Sequence, residues 1–146
     1  PLEQLWQQGI RGILLDVDNT LTAWRSMEVE QAVAGWVAET ARLGFSVCLV
    51  SNSDKQRVLP MGELLGLPAV YWARKPRRRG ILSACAQLGL PPERVAMVGD
   101  QLFTDILGAN RAGLTSILTD TVDAREFWGT RYLARPIERL CKRAWK

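Results

Sequence analysis

The chain reads as an α/β protein, a Rossmann-like, doubly wound parallel sheet of five strands. Three observations predict this fold. Five short apolar, β-favouring runs alternate with stretches of helical periodicity. Four glycines stand where the intervening helices should stop. Polar and acidic residues gather directly after the strands, where sheets of this kind bind ligands near the reversal of strand order.

The elements follow in order. Residues 13–17 form the first run and end in carboxylates; residues 45–50 form the second and lead into Ser51-Asn52. Residues 69–72, 95–98 and 115–118 supply the other three strands. Between them, residues 28–42, 55–65, 76–88 and 102–111 carry the helical period, and Gly44, Gly66, Gly89 and Gly113 follow them. In the first helix Val33, Trp36 and Val37 are expected to face the core. After Asp120 the pattern changes, and a last helical stretch is expected over residues 136–146.

Length and composition fit a single domain over residues 1–146, with a basic segment at about residues 129–146. That segment holds six bases (Arg131, Arg135, Arg139, Lys142, Arg143, Lys146) against Glu138 alone; the rest of the chain sums to −1. A second cluster comprises Arg74, Lys75, Arg77, Arg78 and Arg79. Both suit polyanions or ordinary solvated surface. Histidine is absent, which excludes Ser-His-Asp triads, Cys-His dyads, His-ligated zinc and phosphohistidine chemistry. Cys48, Cys85 and Cys141 are too few and too scattered for a disulfide framework. No arginine lies six residues beyond Cys48 or Cys85, so a cysteine-type phosphatase is disfavoured as well. No apolar run reaches the roughly 20 residues that span a bilayer, and a chain starting at Pro1 reads as a trimmed piece that a leader could have preceded.

The sharpest signal is Asp16-Val17-Asp18-Asn19-Thr20. Residues two apart at a strand end project to one side, so two carboxylates face one cavity. Their repulsion is relieved by a hard divalent cation that takes oxygen ligands. Gly99-Asp100 and Thr104-Asp105 add two acids after the fourth strand, Lys75 adds a cation after the third, and Ser51 places a hydroxyl near a helix start, where backbone donors favour an anion.

In this order, Asp16/Asp18 with Thr20, Ser51, Lys75, and Asp100 through Asp105, the residues resemble the four motifs of the haloacid dehalogenase (HAD) superfamily over residues 13–118. The resemblance implies a phosphomonoester hydrolase: Asp16 as nucleophile, forming an aspartyl phosphate, and Asp18 as the acid that protonates the leaving group and the base that then activates water. It further implies Mg2+ held by Asp16, the Asp18 main-chain carbonyl and Asp100, with Asp105 behind them, and phosphoryl contacts from Ser51, Asn52 and Lys75. The spacings leave no room for an inserted cap domain, so the site should be open.

Asp-Val-Asp-Asn-Thr-Leu, Ala73-Arg74-Lys75-Pro76, Gly-Asp-Gln-Leu-Phe-Thr-Asp and residues 108–113 are similar to the YqeG branch, which includes the phosphatidylglycerophosphate phosphatases of mitochondria and plastids. Ser53 departs from that branch, where a second asparagine is common. The resemblance implies a phosphate-ester substrate, expected to be the anionic phospholipid phosphatidylglycerophosphate, and contact with a membrane surface as a peripheral protein. A soluble nucleotide, sugar phosphate or phosphoprotein is the alternative substrate; a non-catalytic module binding RNA or a partner is the alternative class. Nucleic acid is disfavoured as a partner because the catalytic set is complete. The expected location is cytoplasmic, peripheral on a membrane, or organellar where a leader has been removed, and the sequence carries no signal for oligomeric state.

Overall fold

A computed structural model of the chain describes residues 2–18, 20–22 and 26–120. Its sheet comprises β1 (Gly12–Leu15), β2 (Ser46–Val50), β3 (Ala69–Val70), β4 (Val95–Gly99) and β5 (Thr115–Leu118), in the spatial order β3-β2-β1-β4-β5. Every pairing is parallel. The chain winds outward from β1 to β3, then crosses to β4 and β5. Strand order therefore reverses between β1 and β4, and the crevice beyond their carboxyl ends is where such a sheet takes a ligand.

The central strands are apolar on both faces because helices cover both. Ile13 and Leu15 of β1 join Val47 and Leu49 of β2 on one side, under Val37 and Met61. Those two belong to α2 (Gln31–Arg42) and α3 (Lys55–Leu65). Leu14, Cys48 and Val50 point the other way, against Ile81, Ala84 and Ala109 of α4 (Arg78–Leu88) and α5 (Leu107–Ala112). This period-two alternation along β1 and β2 divides the core into two layers. Cys48 and Cys85 are free thiols in the second layer, pushed by burial up to about 12 and about 11.

Helix ends obey the local chemistry. Asp54 caps α3 by accepting from the Arg57 N–H at 2.9 Å. Gly66, Gly89 and Gly113 end α3, α4 and α5 in the left-handed region.

Several boundaries differ from expectation. α2 starts at Gln31 and α4 at Arg78, each later than the periodicity suggests. β3 stops at Val70, and Trp72 adopts φ 49°, which takes the chain out of the strand. The stretch expected as one helix over residues 102–111 opens with a π-type turn, Leu102–Ile106, before α5. An unanticipated short helix, α1 (Leu2–Gln7), sets Trp6 edge-on to Phe45, with ring centroids 5.1 Å apart. Trp36 is a correction: Val37 is enclosed, but Trp36 is 37% exposed. Adjacent helical residues lie about 100° apart around the axis, so Val37 can be enclosed while the indole beside it stays partly exposed. The stretch expected as a helix over residues 136–146, and the basic segment containing it, lie outside the described residues.

Candidate active site

β1 delivers Asp16 to the crevice. Its N–H continues the ladder by donating to Val98 O at 3.0 Å, which fixes the residue beside the end of β4. Asp100 follows β4 directly and is fully buried. Asp105 reaches the same place by a different route. The π-type turn returns it towards its own strand, its Oδ2 accepts from the Gln101 N–H at 3.1 Å, and it is 1% exposed. Gly99 is what permits this approach: a Cβ there would lie 2.3 Å from the Asp105 carboxyl carbon. One carboxylate oxygen from each of Asp16, Asp100 and Asp105 falls within 4.8 Å of the others.

Lys75 enters this group from the β3 side. Its Nζ donates to Asp16 Oδ1 at 2.6 Å, Asp105 Oδ1 at 2.6 Å and Val50 O at 2.9 Å. Burial would lower the ammonium's proton affinity, but the Asp105 and Asp16 carboxylates outweigh it, and the group is held above its ordinary value. Burial, and then the Asp105 charge, push Asp16 up to about 8, with Asp100 adding to the rise and Lys75 opposing it. Among the described residues, Lys75 is the cation that bonds this group of three buried carboxylates, and like charges so close favour a further cation. The donor set is oxygen alone, which fits a hard divalent cation such as magnesium better than zinc. The Thr20 hydroxyl lies 3.3 Å from Asp16 Oδ2 and 3.4 Å from Asp100 Oδ1.

Ser51 is buried at the end of β2, and its Oγ accepts from the Ser53 N–H at 3.1 Å. The Asn52 amide brackets the Lys75 backbone, accepting from its N–H at 2.7 Å and donating to its carbonyl at 3.1 Å. Asn52 thereby fixes the backbone from which the lysine extends. Its side chain makes both of these bonds.

Asp18 is also buried, but its carboxylate belongs to a different set of partners from Asp16. Arg57 donates to Oδ1 from Nη2 at 2.7 Å and from Nε at 3.2 Å, and Ser53 Oγ donates to Oδ2 at 2.8 Å. Neither Arg57 nor the Ser53 side chain was singled out from the sequence. Arg57 lies in the first turn of the helix that follows the Ser51-Asn52 strand end.

A parallel sheet in this order, with an Asp-x-Asp pair, a buried lysine and two further acids at its carboxyl edge, defines a phosphohydrolase of the HAD type. Comparison with known proteins agrees. A family model described as HAD-hydrolase-like matches residues 72–135. The "Probable phosphatase YqeG" of Bacillus subtilis is 36% identical over 137 residues, covering 94% of this chain and 79% of that protein. The chain belongs to this family of HAD-like phosphatases and is a phosphoric monoester hydrolase. "Phosphatidylglycerophosphate phosphatase 1, chloroplastic" of Chlamydomonas reinhardtii is 33% identical over 121 residues, covering 75% of this chain and 44% of that protein. The chain thus spans less than half the length of that relative. Among solved structures, a predicted phosphoglycolate phosphatase from Haemophilus somnus has a TM-score of 0.65 at 14% identity, covering 85% of this chain and 92% of that one. That likeness shows the fold alone.

Proposed function

We propose that the chain, acting as one catalytic domain, dephosphorylates phosphatidylglycerophosphate to phosphatidylglycerol with magnesium and an aspartyl-phosphate intermediate on Asp16. The observation that carries the chemistry is the buried meeting of Asp16, Asp100 and Asp105 around Lys75 at the point where strand order reverses. A buried carboxylate with a lysine Nζ 2.6 Å away and two further carboxylates beside it fits a reactive centre better than packing.

In the first step an Asp16 carboxylate oxygen bonds to phosphorus as the ester P–O bond breaks, and Asp18 gives its proton to the departing alkoxide. In the second, Asp18 takes a proton from water as the water oxygen bonds to phosphorus and the acyl-phosphate P–O bond breaks, releasing inorganic phosphate and regenerating Asp16. Lys75 and the Ser51-Asn52 turn hold the phosphoryl oxygens, and the positive charge on Lys75 offsets the negative charge that develops there. Magnesium, when bound, would neutralise charge on the carboxylates and the phosphoryl group; Asp16, Asp100 and the Asp18 main-chain carbonyl would hold it, with Asp105 behind them.

The lipid assignment rests on the relatives named for that activity and on the rim of the site. Arg74, Arg77 and Arg79 line a cleft of about 430 Å3 with Trp72, which is 59% exposed. Arg74 directly precedes Lys75, so the cleft and the centre share one loop. Guanidinium groups beside an exposed indole suit an anionic lipid surface. No helix among the described residues is long and apolar enough to cross a membrane; the contact proposed with lipid is peripheral.

A phosphate-release panel tests the reading: phosphatidylglycerophosphate in mixed micelles beside nucleoside monophosphates, sugar phosphates and a phosphopeptide, each with and without magnesium. The lipid should show the highest kcat/KM, and chelation should abolish its turnover. A soluble ester turned over faster than the lipid would displace the substrate assignment and leave the chemistry standing.

A further inference from the structure

The Asp18 carboxylate is held by Ser53 and by Arg57, whose side chain also ties together the segments around it. Besides its two bonds to Asp18 Oδ1, Arg57 donates from Nη2 to Thr22 Oγ1 at 3.1 Å, and from Nη1 to the Ser26 carbonyl and, at 3.1 Å, to Met27 Sδ. Arg57 and Asp18 are 13% and 10% exposed at their side chains, so solvent competes little for these bonds. The anchor of this fork is firm: Arg57 sits in the first turn of α3, and its own N–H is bound by the Asp54 cap. The guanidinium thus joins α3 to the acid-bearing turn and to the segment that follows it.

The two oxygens of Asp18 are treated differently. Oδ1 accepts from two nitrogens of a rigid planar group, whereas Oδ2 accepts from a serine hydroxyl, a donor that rotates and also accepts. A carboxyl that must give up a proton and later take one needs a fixed plane and one oxygen whose partner can change role. Both requirements are met at this residue.

We propose that Arg57 is the positioning residue of the proton-transfer carboxylate: it anchors Asp18 Oδ1 and so makes Oδ2, with Ser53 beside it, the oxygen that carries the proton in both steps. The proposal rests on the reading of Asp18 as acid and base. In the first step the Oδ2–H bond breaks and the proton passes to the ester oxygen as that oxygen leaves phosphorus. In the second, Oδ2 receives the proton of the water that bonds to phosphorus. Arg57 transfers nothing itself, and its contribution lies in orientation.

The test compares Arg57→Lys, Arg57→Gln, Asp18→Asn and the Asp18→Asn/Arg57→Gln double variant on two esters. Phosphatidylglycerophosphate in mixed micelles has an alcohol leaving group that needs a proton; p-nitrophenyl phosphate releases a phenolate that does not. Both Arg57 variants should lower kcat on the lipid ester by about tenfold or more, within the span of a general acid, with KM little changed. On the nitrophenyl ester they should give a burst of one nitrophenolate per enzyme before a slowed steady state. The double variant should be no slower than Asp18→Asn alone, because both changes remove the same function.

Losses that multiply in the double variant, or that fall equally on both esters with no burst, would make Arg57 a structural residue and overturn the proposal. Unchanged turnover in the Arg57 variants beside a collapsed Asp18→Asn would overturn it and leave Asp18 as the acid and base. Full activity in Asp18→Asn would instead defeat the reading on which it rests. Should Arg57→Gln fail to fold, Arg57→Lys and Ser53→Ala carry the test. Ser53→Ala removes the serine donor at Oδ2 without removing the fork and should show the same burst with a smaller loss.

Discussion

Asp16 and Asp18 stand two residues apart, yet they occupy opposite electrostatic situations. Among the described residues, Asp16 lies with two more carboxylates and Lys75, whereas Asp18 is bound by Arg57 and Ser53. Burial, and then the neighbouring carboxylate charges, raise the proton affinity of Asp16, whereas Asp18 is oriented by a planar fork. On the proposed roles, one short turn supplies two chemistries. A nucleophile can be crowded with like charge when a metal cation is to join it, while a proton-transfer group needs a fixed plane.

Removing the inner carboxylate should give the largest effect. Asp16→Asn keeps the shape and loses the nucleophile, so phosphate release should fall by about a thousandfold or more, roughly 4 kcal/mol of barrier. The same change relieves the repulsion, so the metal-free variant should melt no lower than the wild type at pH 8. Phosphate release and thermal melts check the two halves separately. Activity within about tenfold of the wild type would remove Asp16 from the role.

Lys75→Met should come next. It removes the cation that bonds Asp16 and Asp105 and leaves both carboxylates without it where burial keeps them from water, a loss on the order of 3–5 kcal/mol in unfolding free energy. Urea denaturation with and without magnesium reads this directly, and magnesium should restore part of the loss. An equal loss with and without the ion would show that the carboxylates do not share it.

Much of this contrast was legible in the sequence, and for identifiable reasons. The β-favouring runs and the glycines after the helices are local signals, and Gly66, Gly89 and Gly113 indeed end helices with positive φ. The inner site was legible because Asp16, Lys75, Asp100 and Asp105 all follow strands, and a parallel sheet brings strand ends together whatever lies between. Arg57 was not, because its partner is 39 residues away and the pairing depends on the rotation of α3. The π-type turn was missed for a related reason: its periodicity differs little from a helix over five residues, and only the close approach of Asp105 to Gly99 reveals it.

The pH dependence of stability sharpens the comparison without a mutation. Asp16 has a folded value of about 8 against an ordinary 3.8, so the metal-free folded chain binds a proton that the unfolded chain has released. That contribution is fully present below about pH 4 and is lost as pH rises through about 8, so metal-free stability from this group should fall across that window. Magnesium should oppose the fall, since cation and proton compete for the same oxygens. In Asp16→Asn this component should vanish, and melts from pH 4 to 9 would expose a slope that persisted.

The smallest expected effect lies at the rim, where Arg74, Arg77 and Arg79 line the cleft beside the Lys75 loop. Their charges lie outside the carboxylate centre, so glutamine replacements should leave turnover of p-nitrophenyl phosphate unchanged. On anionic vesicles each replacement should weaken binding by about fivefold at low salt, since a base near such a surface contributes about 1 kcal/mol. Because exposed charges are screened over about 8 Å at physiological ionic strength, the difference between wild type and variants should shrink as salt rises. Vesicle sedimentation in a salt series, beside turnover of vesicle-borne phosphatidylglycerophosphate, separates this surface effect from chemistry. If the variants bind vesicles as the wild type does at low salt, the cleft plays no part in lipid contact. If they lose activity on the soluble ester as well, the rim and the inner centre are one electrostatic unit, and the separation drawn between them fails.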